Sequence, residues 1–308
     1  MKKIMRSHGN IFIKLIVLLL VAIISFAIYW LWQRQPKPQV QSDETASTQS
    51  ASLEKSAEEP IQITSPPDHS VIPSNNITLR GKTDPDSYVV IYSGSANTTV
   101  KSDTNGIFEK EIAIGNQLNL IGIAALDNSL KTKFQKTLTY YQSTDSKNSV
   151  VYAGEVKSIF DTVITVTSQE EEVGIRTNKS TSITLPSFQN GKTEEGVKGI
   201  RIQDYAIVLG QKNKDVVTAR SVQIVRENKP QNTQEFTPTT FLSTPKQNSF
   251  MAQTPDDKTL EFTLNTSSEI SLDGKGAQES DIIKEKNAII IFHSPSGTNI
   301  VDSIYLLP

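Results

Sequence analysis

An apolar run at residues 11–32 constrains this chain more than any other feature. It reads IFIKLIVLLLVAIISFAIYWLW, interrupted only by Lys14 and one serine. As a helix the run would be ~33 Å long at ~1.5 Å per residue, which matches the hydrocarbon thickness of a bilayer. Its end carries Tyr29, Trp30 and Trp32, which suit the membrane interface, and no small-residue cleavage pattern follows. The run therefore predicts an uncleaved signal-anchor helix that spans the cytoplasmic membrane.

Cations on the two sides of this run predict its orientation. More of them precede or open the span than follow it: Lys2, Lys3, Arg6 and Lys14 against Arg34 and Lys37. Because Lys and Arg favour the cytoplasmic side, residues 1–10 are expected inside and the rest of the chain outside. The partner of residues 11–32 is then the lipid bilayer itself.

Composition narrows the function of the exported part. The chain has no cysteine, so it holds no disulfide, no thiol nucleophile and no thiolate metal site. Asp and Glu number 33 against 31 Lys and Arg, and the N-terminal segment is basic, so the remainder is mildly acidic. An acidic chain lacks the positive surface that nucleic acid requires, and no nucleic-acid partner is expected.

Residues 33–60 predict a disordered stalk. The segment is rich in Gln, Ser, Glu and Pro and has almost no large apolar residue. Such a composition cannot bury enough surface to offset the entropy lost on ordering.

Residues 61–141 predict a β-sandwich. Apolar residues alternate along short runs, and turn sequences separate the runs at 65–68, 84–87, 103–106 and 126–129. The alternating residues expected to face a core are Ile77, Leu79, Val89, Ile91, Ile112, Ile114, Ile121, Ile123 and Ala125. About seven short strands in this length are typical of a sandwich.

The same stretch resembles the bacterial immunoglobulin-like domains of surface and secreted proteins. The residues that carry the resemblance are ITSPPDHSVI, ITLRGKTDPDSYVVIY, VKSDTNGIFEKEI and NQLNLIGIAALD. The resemblance implies an Ig-like sandwich that serves as a spacer or a binding module and brings no catalytic residues.

A second kind of module occurs twice, at 150–226 and 239–308, separated by a link at 227–238. Four blocks keep their order and spacing, which indicates a duplication. The aligned blocks are TVITVT (162–167) with SFMAQT (249–254), IRTNKSTSITL (175–185) with FTLNTSSEISL (262–272), AIVL (206–209) with AIII (288–291), and SVQI (221–224) with SIYL (303–306).

The sequence of each copy predicts five or six strands. We expect them to close into a barrel, because closure leaves no exposed edge strand in so small a sheet. The copies resemble small OB-like β-barrel repeats of unknown function in exported bacterial proteins. The opening of that pattern is carried by Gly154, Val156 and Ile159, and its ending by Asp204, Ala206, Val208, Gly210, Ala219 and Val222. In the second copy Phe241 and Phe292 stand where glycines are expected. The aromatic residues are expected in the barrel cores: Tyr152, Phe160, Phe188, Tyr205, Phe241, Phe250, Phe262, Phe292 and Tyr305.

Candidate chemistry is sparse, and no catalytic, cofactor or metal site is predicted. The turn at 103–106 (DTNG) opens like a calcium loop, but the distal Glu of an EF-hand is missing, which favours a plain hairpin turn. A calcium site at the sandwich end, formed by Asp84, Asp86 and Asp127, remains open. His8, His69 and His293 lack metal-ligand spacing and are expected to be solvated.

The sequence therefore favours a non-catalytic, membrane-anchored envelope or surface protein whose β-modules bind a protein or a glycan. The alternatives are a spacer without a ligand, and an extracytoplasmic hydrolase or accessory subunit of a cell-envelope enzyme. The hydrolase would need paired carboxylates in a cleft.

Overall fold

Short strands with alternating burial make up most of the structure. The computed structural model describes residues 60–145, 149–169, 171–186, 196–214 and 216–308. Within these ranges the chain is mainly β, as predicted, with 3-10 turns at Gly196–Gly199, Glu279–Asp281 and Pro295–Gly297. No helix in the described ranges is long and apolar enough to cross a membrane, and residues 11–32 and the stalk lie outside them.

Eight strands form the first module. They are β1 (Ile61–Ser65), β2 (Val71–Ile72), β3 (Asn76–Thr83), β4 (Tyr88–Tyr92), β5 (Asn97–Lys101), β6 (Ile107–Ala113), β7 (Gln117–Leu126) and β8 (Thr132–Gln142). One sheet has the order β1-β3-β6, and the other has the order β2-β8-β7-β4-β5. The turn sequences at 84–87 and 103–106 lie between strands as expected, and those at 65–68 and 126–129 begin on the last residue of a strand, Ser65 of β1 and Leu126 of β7.

One apolar core lies between these two sheets. Every residue that the alternation placed on a core is buried, and Phe108, Leu138 and Tyr140 join them. β3 alternates strictly between exposed and buried positions, because one of its faces packs on the core and the other meets solvent.

β4 departs from this alternation because both of its faces are buried. Val89 and Ile91 point into the core between the sheets, while Tyr88, Val90 and Tyr92 pack in a separate apolar cluster on the outer face. The five-stranded sheet therefore has a second apolar surface, on its outer face, that must be buried against another part of the protein.

The next six strands form barrel 1. They are β9 (Val150–Phe160), β10 (Val163–Ser168), β11 (Glu171–Arg176), β12 (Ser182–Thr184), β13 (Tyr205–Asn213) and β14 (Val216–Val225). Neighbours pair in the order β11-β10-β9-β13-β14, and a parallel pairing of β11 with β14 closes the ring. β12 adds to β14 further along the same strand. The result is a closed five-stranded barrel.

Barrel 2 repeats this arrangement. Its strands are β15 (Gln234–Phe241), β16 (Ser249–Gln253), β17 (Thr259–Thr263), β18 (Glu269–Leu272), β19 (Lys275–Gly276), β20 (Asn287–His293) and β21 (Asn299–Leu306). The order β17-β16-β15-β20-β21 closes through a parallel pairing of β17 with β21, and β18 adds to β21 as β12 does to β14. β15 begins at Gln234, within the segment that the sequence suggested as a link.

Matching hydrogen bonds show that the two barrels share local structure as well as strand order. The side-chain oxygen of Asn178 accepts from the N–H and hydroxyl of Ser180 at 2.8 and 2.6 Å. Asn265 accepts from Ser267 in the same way at 2.7 and 2.6 Å. These are the residues that the 175–185 and 262–272 alignment placed together, and that alignment is confirmed.

The alignment of 162–167 with 249–254 is wrong by one residue. Val163 pairs with Arg176 in barrel 1, and Ser249 pairs with the corresponding Thr263 in barrel 2. Val163 is therefore the counterpart of Ser249, and buried Ile164 is the counterpart of buried Phe250. A one-residue slip exchanges the two faces of a strand, so the burial pattern decides the register.

One of the two residues of barrel 2 that were expected to replace a glycine is also assigned differently by the structure. Gly154 pairs with Ala206, and Thr239 pairs with the corresponding Ala288. Thr239, rather than Phe241, is thus the counterpart of Gly154. Phe292 does correspond to Gly210, as the sequence indicated, because both follow a bulge and pair with equivalent residues of the last strand.

Both barrels pack on the first module within one compact unit, Ala57–Pro308. The barrel-2 seam is the apolar cluster of Tyr88, Val90, Tyr92, Ala124 and Leu126 with Ile289, Ile291, Tyr305 and Leu307. The barrel-1 seam joins Val71, Leu118 and Tyr141 to Val151, Tyr205, Ile207, Leu209 and Val225. The two barrels therefore bury the apolar outer face of the five-stranded sheet.

Candidate functional site

The 103–106 turn is a structural hairpin turn. The Asp103 carboxylate accepts from the backbone N–H groups of Asn105 and Ile107, both at 2.8 Å. Gly106 has a φ of +79°, and a Cβ there would lie 2.0 Å from the carbonyl oxygen of Thr83. These bonds satisfy the local backbone, which explains the sequence pattern without an ion.

Two of the three aspartates considered for calcium have other contacts. Asp127 accepts from the Ser129 hydroxyl at 2.6 Å and the Lys131 N–H at 3.0 Å, and these bonds lower the pKa of its carboxyl group to about 2. Asp86 lies 3.7 Å from Lys101. Within the described ranges, no group of three or more His, Asp or Glu side chains is arranged to hold a metal ion.

The two described histidines are half-buried and bonded, contrary to the expectation of free solvation. His69 Nδ1 lies 3.0 Å from the carbonyl oxygen of Val151, and its ring stacks on Tyr152 at 4.5 Å. His293 Nδ1 lies 3.0 Å from the Asp302 carboxylate. His69 thus helps to join the first module to barrel 1. His8 is outside the described residues.

Most of the barrel aromatics lie in apolar clusters, as expected, but Phe160 does not. Phe241, Phe250, Phe262 and Phe292 form a chain of rings in barrel 2, with successive centroids 5.2 to 5.7 Å apart. Phe160, at the end of β9, is 82% exposed. Tyr152, Tyr205 and Tyr305 are buried or half-buried, and Phe188 is outside the described residues.

Two clefts of the described structure lie where the first module meets a barrel. The β8 cleft has a volume of about 770 Å³ and lies between Phe134–Thr137 of β8 and the β10–β11 turn of barrel 1. Asp68 and His69 complete its wall. The Gln169 side chain donates to the Thr139 hydroxyl at 2.5 Å and ties the two modules together beside it.

Buried polar contacts stabilise the segment that carries Asp68 and His69. The Asp68 carboxylate accepts from the N–H groups of His69 and Thr139, both at 2.8 Å. Burial, and then the nearby Asp68 charge, raise the pKa of Tyr140 well above its ordinary value. Tyr140 therefore remains a neutral phenol and donates to the Pro66 carbonyl at 3.0 Å.

The second site, the β5 groove, consists of two cavities of about 510 and 340 Å³ between the first module and barrel 2. Asn97, Thr98, Lys110 and Glu269 line both cavities, so the two form one continuous groove. Its floor is β5 with the preceding turn, one wall is β6, and the other wall is the β18–β19 hairpin. Gly274 and Gly276 on that hairpin face open space, since a Cβ on either would meet no atom within 4 Å.

β5 is an edge strand, and half of its backbone groups point into this groove. The N–H of Ser93 donates to Ala96 and the N–H of Ser102 donates to Ser87, at 2.9 and 2.8 Å. Because hydrogen-bonded pairs alternate along an antiparallel ladder, Thr98 and Val100 face β4, while Asn97, Thr99 and Lys101 direct their N–H and C=O groups away from it. β5 ends its sheet, so no described strand pairs with those groups.

Two polar side chains of the groove lack partners in the described part of the chain. Thr99 is 6% exposed, and its hydroxyl has no hydrogen-bond partner. Lys110 is half-buried and makes neither an ion pair nor a side-chain hydrogen bond there. A buried hydroxyl without a partner costs about 1–3 kcal/mol, so Thr99 is a local energetic cost to the fold beneath the groove.

Sequence reasoning missed Lys110 and Thr99, although one signal was present. Lys110 follows Phe108 and precedes Ile112 at the core-facing positions of β6, so an inward lysine could be read from the alternation. Nothing in the sequence indicated that β5 ends its sheet or that barrel 2 lies beside it.

No family model, no curated protein and no solved structure matches the chain.

Proposed function

We propose that this chain is a non-catalytic, extracytoplasmic binding protein of the bacterial envelope, held at the membrane by residues 11–32. In this proposal the first module is an immunoglobulin-like sandwich and the two barrels are OB-like. The shared core between two sheets that are antiparallel apart from the β2–β8 pair supports the former, and the equivalent strand order of two closed barrels supports the latter.

The observation that carries the binding function is the position of the β8 cleft and the β5 groove. Both lie at junctions between modules, where ligand sites occur preferentially in multi-module proteins. The seams beside them are apolar, so the walls of each cleft are held together by buried contacts and the binding geometry is largely preformed. A partner protein or a glycan in the envelope is the proposed ligand.

Photo-crosslinking in intact cells tests the binding function. A photoreactive amino acid at Gln135 in the β8 cleft, or at Ser95 in the β5 groove, should give a specific crosslinked product. The control position is Lys179, an exposed residue on a loop of barrel 1 that lines neither cleft. Equal products from all three positions, or none from either cleft, would contradict a binding role.

Thiol labelling tests the membrane topology separately. Because the chain has no cysteine, a single introduced cysteine is its only labelling site. A membrane-impermeant maleimide added to intact spheroplasts should label Lys179→Cys and leave Ser7→Cys unlabelled until the cells are lysed. Labelling of Ser7→Cys alone before lysis would refute the proposed orientation.

A further inference from the structure

The β5 groove combines features that together select one class of ligand. An edge strand of five residues, ~17 Å long, presents unpaired backbone groups along its floor. A backbone with its own N–H and C=O groups at the same spacing is the partner that such an edge recognises.

The groove lining argues for a peptide over a glycan. Among the described residues no aromatic side chain lines either of its two cavities, so these residues offer a sugar ring no flat apolar surface for stacking. Hydroxyl, amide and carboxylate groups line it instead, and they are the groups that contact the side chains of an added strand.

The charged residues of the groove indicate which charged side chains that peptide carries. Half-buried Lys110 lines both cavities, and three acidic residues line the same groove: Glu111, Glu269 and Asp302. Asp302 is engaged by His293 and Glu111 by Asn76, at 3.0 and 3.2 Å, while Lys110 has no counter-ion among the described residues. The groove therefore complements one acidic side chain flanked by basic ones.

We propose that the β5 groove binds an extended peptide segment of a partner protein, which adds to the β5 edge as a strand. Its backbone pairs with Asn97, Thr99 and Lys101, an acidic side chain meets Lys110, and basic side chains meet the acidic rim. This inference rests on the proposed binding function and specifies its ligand.

A purely protective role is the competing explanation for Lys110. Inward-pointing charges on edge strands prevent unwanted pairing with other chains. In that case loss of the charge would increase self-association and would increase the binding of extended peptides of every sequence. The proposed role predicts the opposite for acidic peptides, so the two explanations are separable.

Peptide arrays with the full-length chain in nanodiscs provide the test. The probes are nine-residue peptides of alternating Thr and Val, with each of the twenty amino acids at the centre and either Lys or Glu at both ends. We expect strongest binding for Asp or Glu at the centre with Lys at the ends. N-methylation of alternate backbone nitrogens should abolish that binding, because it removes the donors of an added strand. Equal retention of acidic-centred and Lys-centred peptides would overturn the proposal.

Two variants assign the binding to the groove. Lys110→Met should weaken binding of the best acidic peptide at least tenfold, while the matched control Lys82→Met, on the neighbouring strand, should leave it unchanged. Thr99→Val should raise the melting temperature, because it removes an unbonded buried hydroxyl, and should leave the peptide affinity unchanged, because a bound peptide cannot reach that atom. Unchanged peptide affinity in Lys110→Met would refute the groove as the site.

Hydrogen exchange locates the bound strand directly. The amides of Asn97, Thr99 and Lys101 should exchange slowly only when the peptide is bound. If a partner crosslinked in cells binds Lys110→Met with wild-type affinity, the peptide groove is wrong and the general binding function stands. If the clefts give no crosslinked partner at all, the general function fails as well.

Discussion

Gly154 lies where two strands of barrel 1 approach most closely. A Cβ at this position would lie 1.8 Å from the carbonyl oxygen of Thr167, which is backbone and cannot rotate away. Gly154→Ala should therefore destabilise the protein by about 1–3 kcal/mol through overpacking. Gly174→Ala, on the exposed β11 with open space around it, is the matched control and should change stability little. Urea unfolding measures both, and equal effects would contradict the close approach.

The ion pair of Asp204 and Arg226 is the most buried one in the described structure. Arg226 donates to both carboxylate oxygens at 2.8 and 3.0 Å and to the Gly199 carbonyl at 2.7 Å. Burial alone would raise the pKa of Asp204, but the bonds from Arg226 and from the N–H of Arg201, together with the nearby positive charges, lower it. The pair closes the end of barrel 1 next to its 3-10 turn.

This pair predicts a specific pH dependence. A carboxylate with a lowered folded-state pKa stabilises the fold fully above its unfolded pKa of ~3.9, and the contribution is lost as the pH falls through the folded-state pKa. Asp204→Asn should cost about 2–4 kcal/mol at pH 7 and much less at pH 2. The exposed pair of Asp145 and Arg220 supplies the control, since Asp145→Asn should cost under ~1 kcal/mol. The free energies of unfolding of the unaltered protein and of both variants, measured at pH 7 and at pH 2, test this prediction.

At the level of single residues, the alternation of apolar and polar residues along a strand was the reliable structural signal in the sequence. It predicted the inward residues of the first module because a strand fixes side-chain direction with a period of two. It could not show that Tyr88, Val90 and Tyr92 are also buried, since their cover comes from barrel 2, two hundred residues along the chain. The roles of Thr99 and Lys110 depend on the same distant packing.

Among the elements, the core of barrel 2 differs from that of barrel 1 in its aromatic rings. Phe250 and Phe262 stand where barrel 1 has Ile164 and Ile175, and Phe292 occupies the place of Gly210. Phe250 is 2% exposed and contacts two other rings, so Phe250→Ala should destabilise barrel 2 by about 3–5 kcal/mol.

Phe160 is the control for that substitution, since it is 82% exposed at the end of β9. Phe160→Ala should change the free energy of unfolding by less than about 0.5 kcal/mol. Comparable losses in the two variants would show that the ring chain is not the source of stability in barrel 2.

The duplication could be read at the element level because its loops keep their bonding residues. Asn178 and Asn265 fix equivalent turns, and the alignment through them is correct. The strand blocks at 162–167 and 249–254 were misaligned because their residues share composition rather than identity, and only cross-strand pairing distinguishes a slip of one residue.

For the whole molecule, the decisive feature is that the five-stranded sheet of the first module is buried on both faces. Its inner face covers the three-stranded sheet, and its outer face contacts both barrels through the two seams. The sequence predicted three separate modules joined by polar links. It did not predict the seams, because an apolar residue on the outer face of a strand does not indicate which other strand it will contact.

Differential scanning calorimetry of residues 57–308 tests the central claim, that the three modules form one cooperative body. The account predicts a single transition in which the calorimetric and van't Hoff enthalpies agree. Val90→Asp places a charge in the barrel-2 seam and should split off a separate transition for barrel 2, whereas Ile107→Asp, at a position 53% exposed, should not. Separate transitions for the three modules in the unaltered protein would contradict the account.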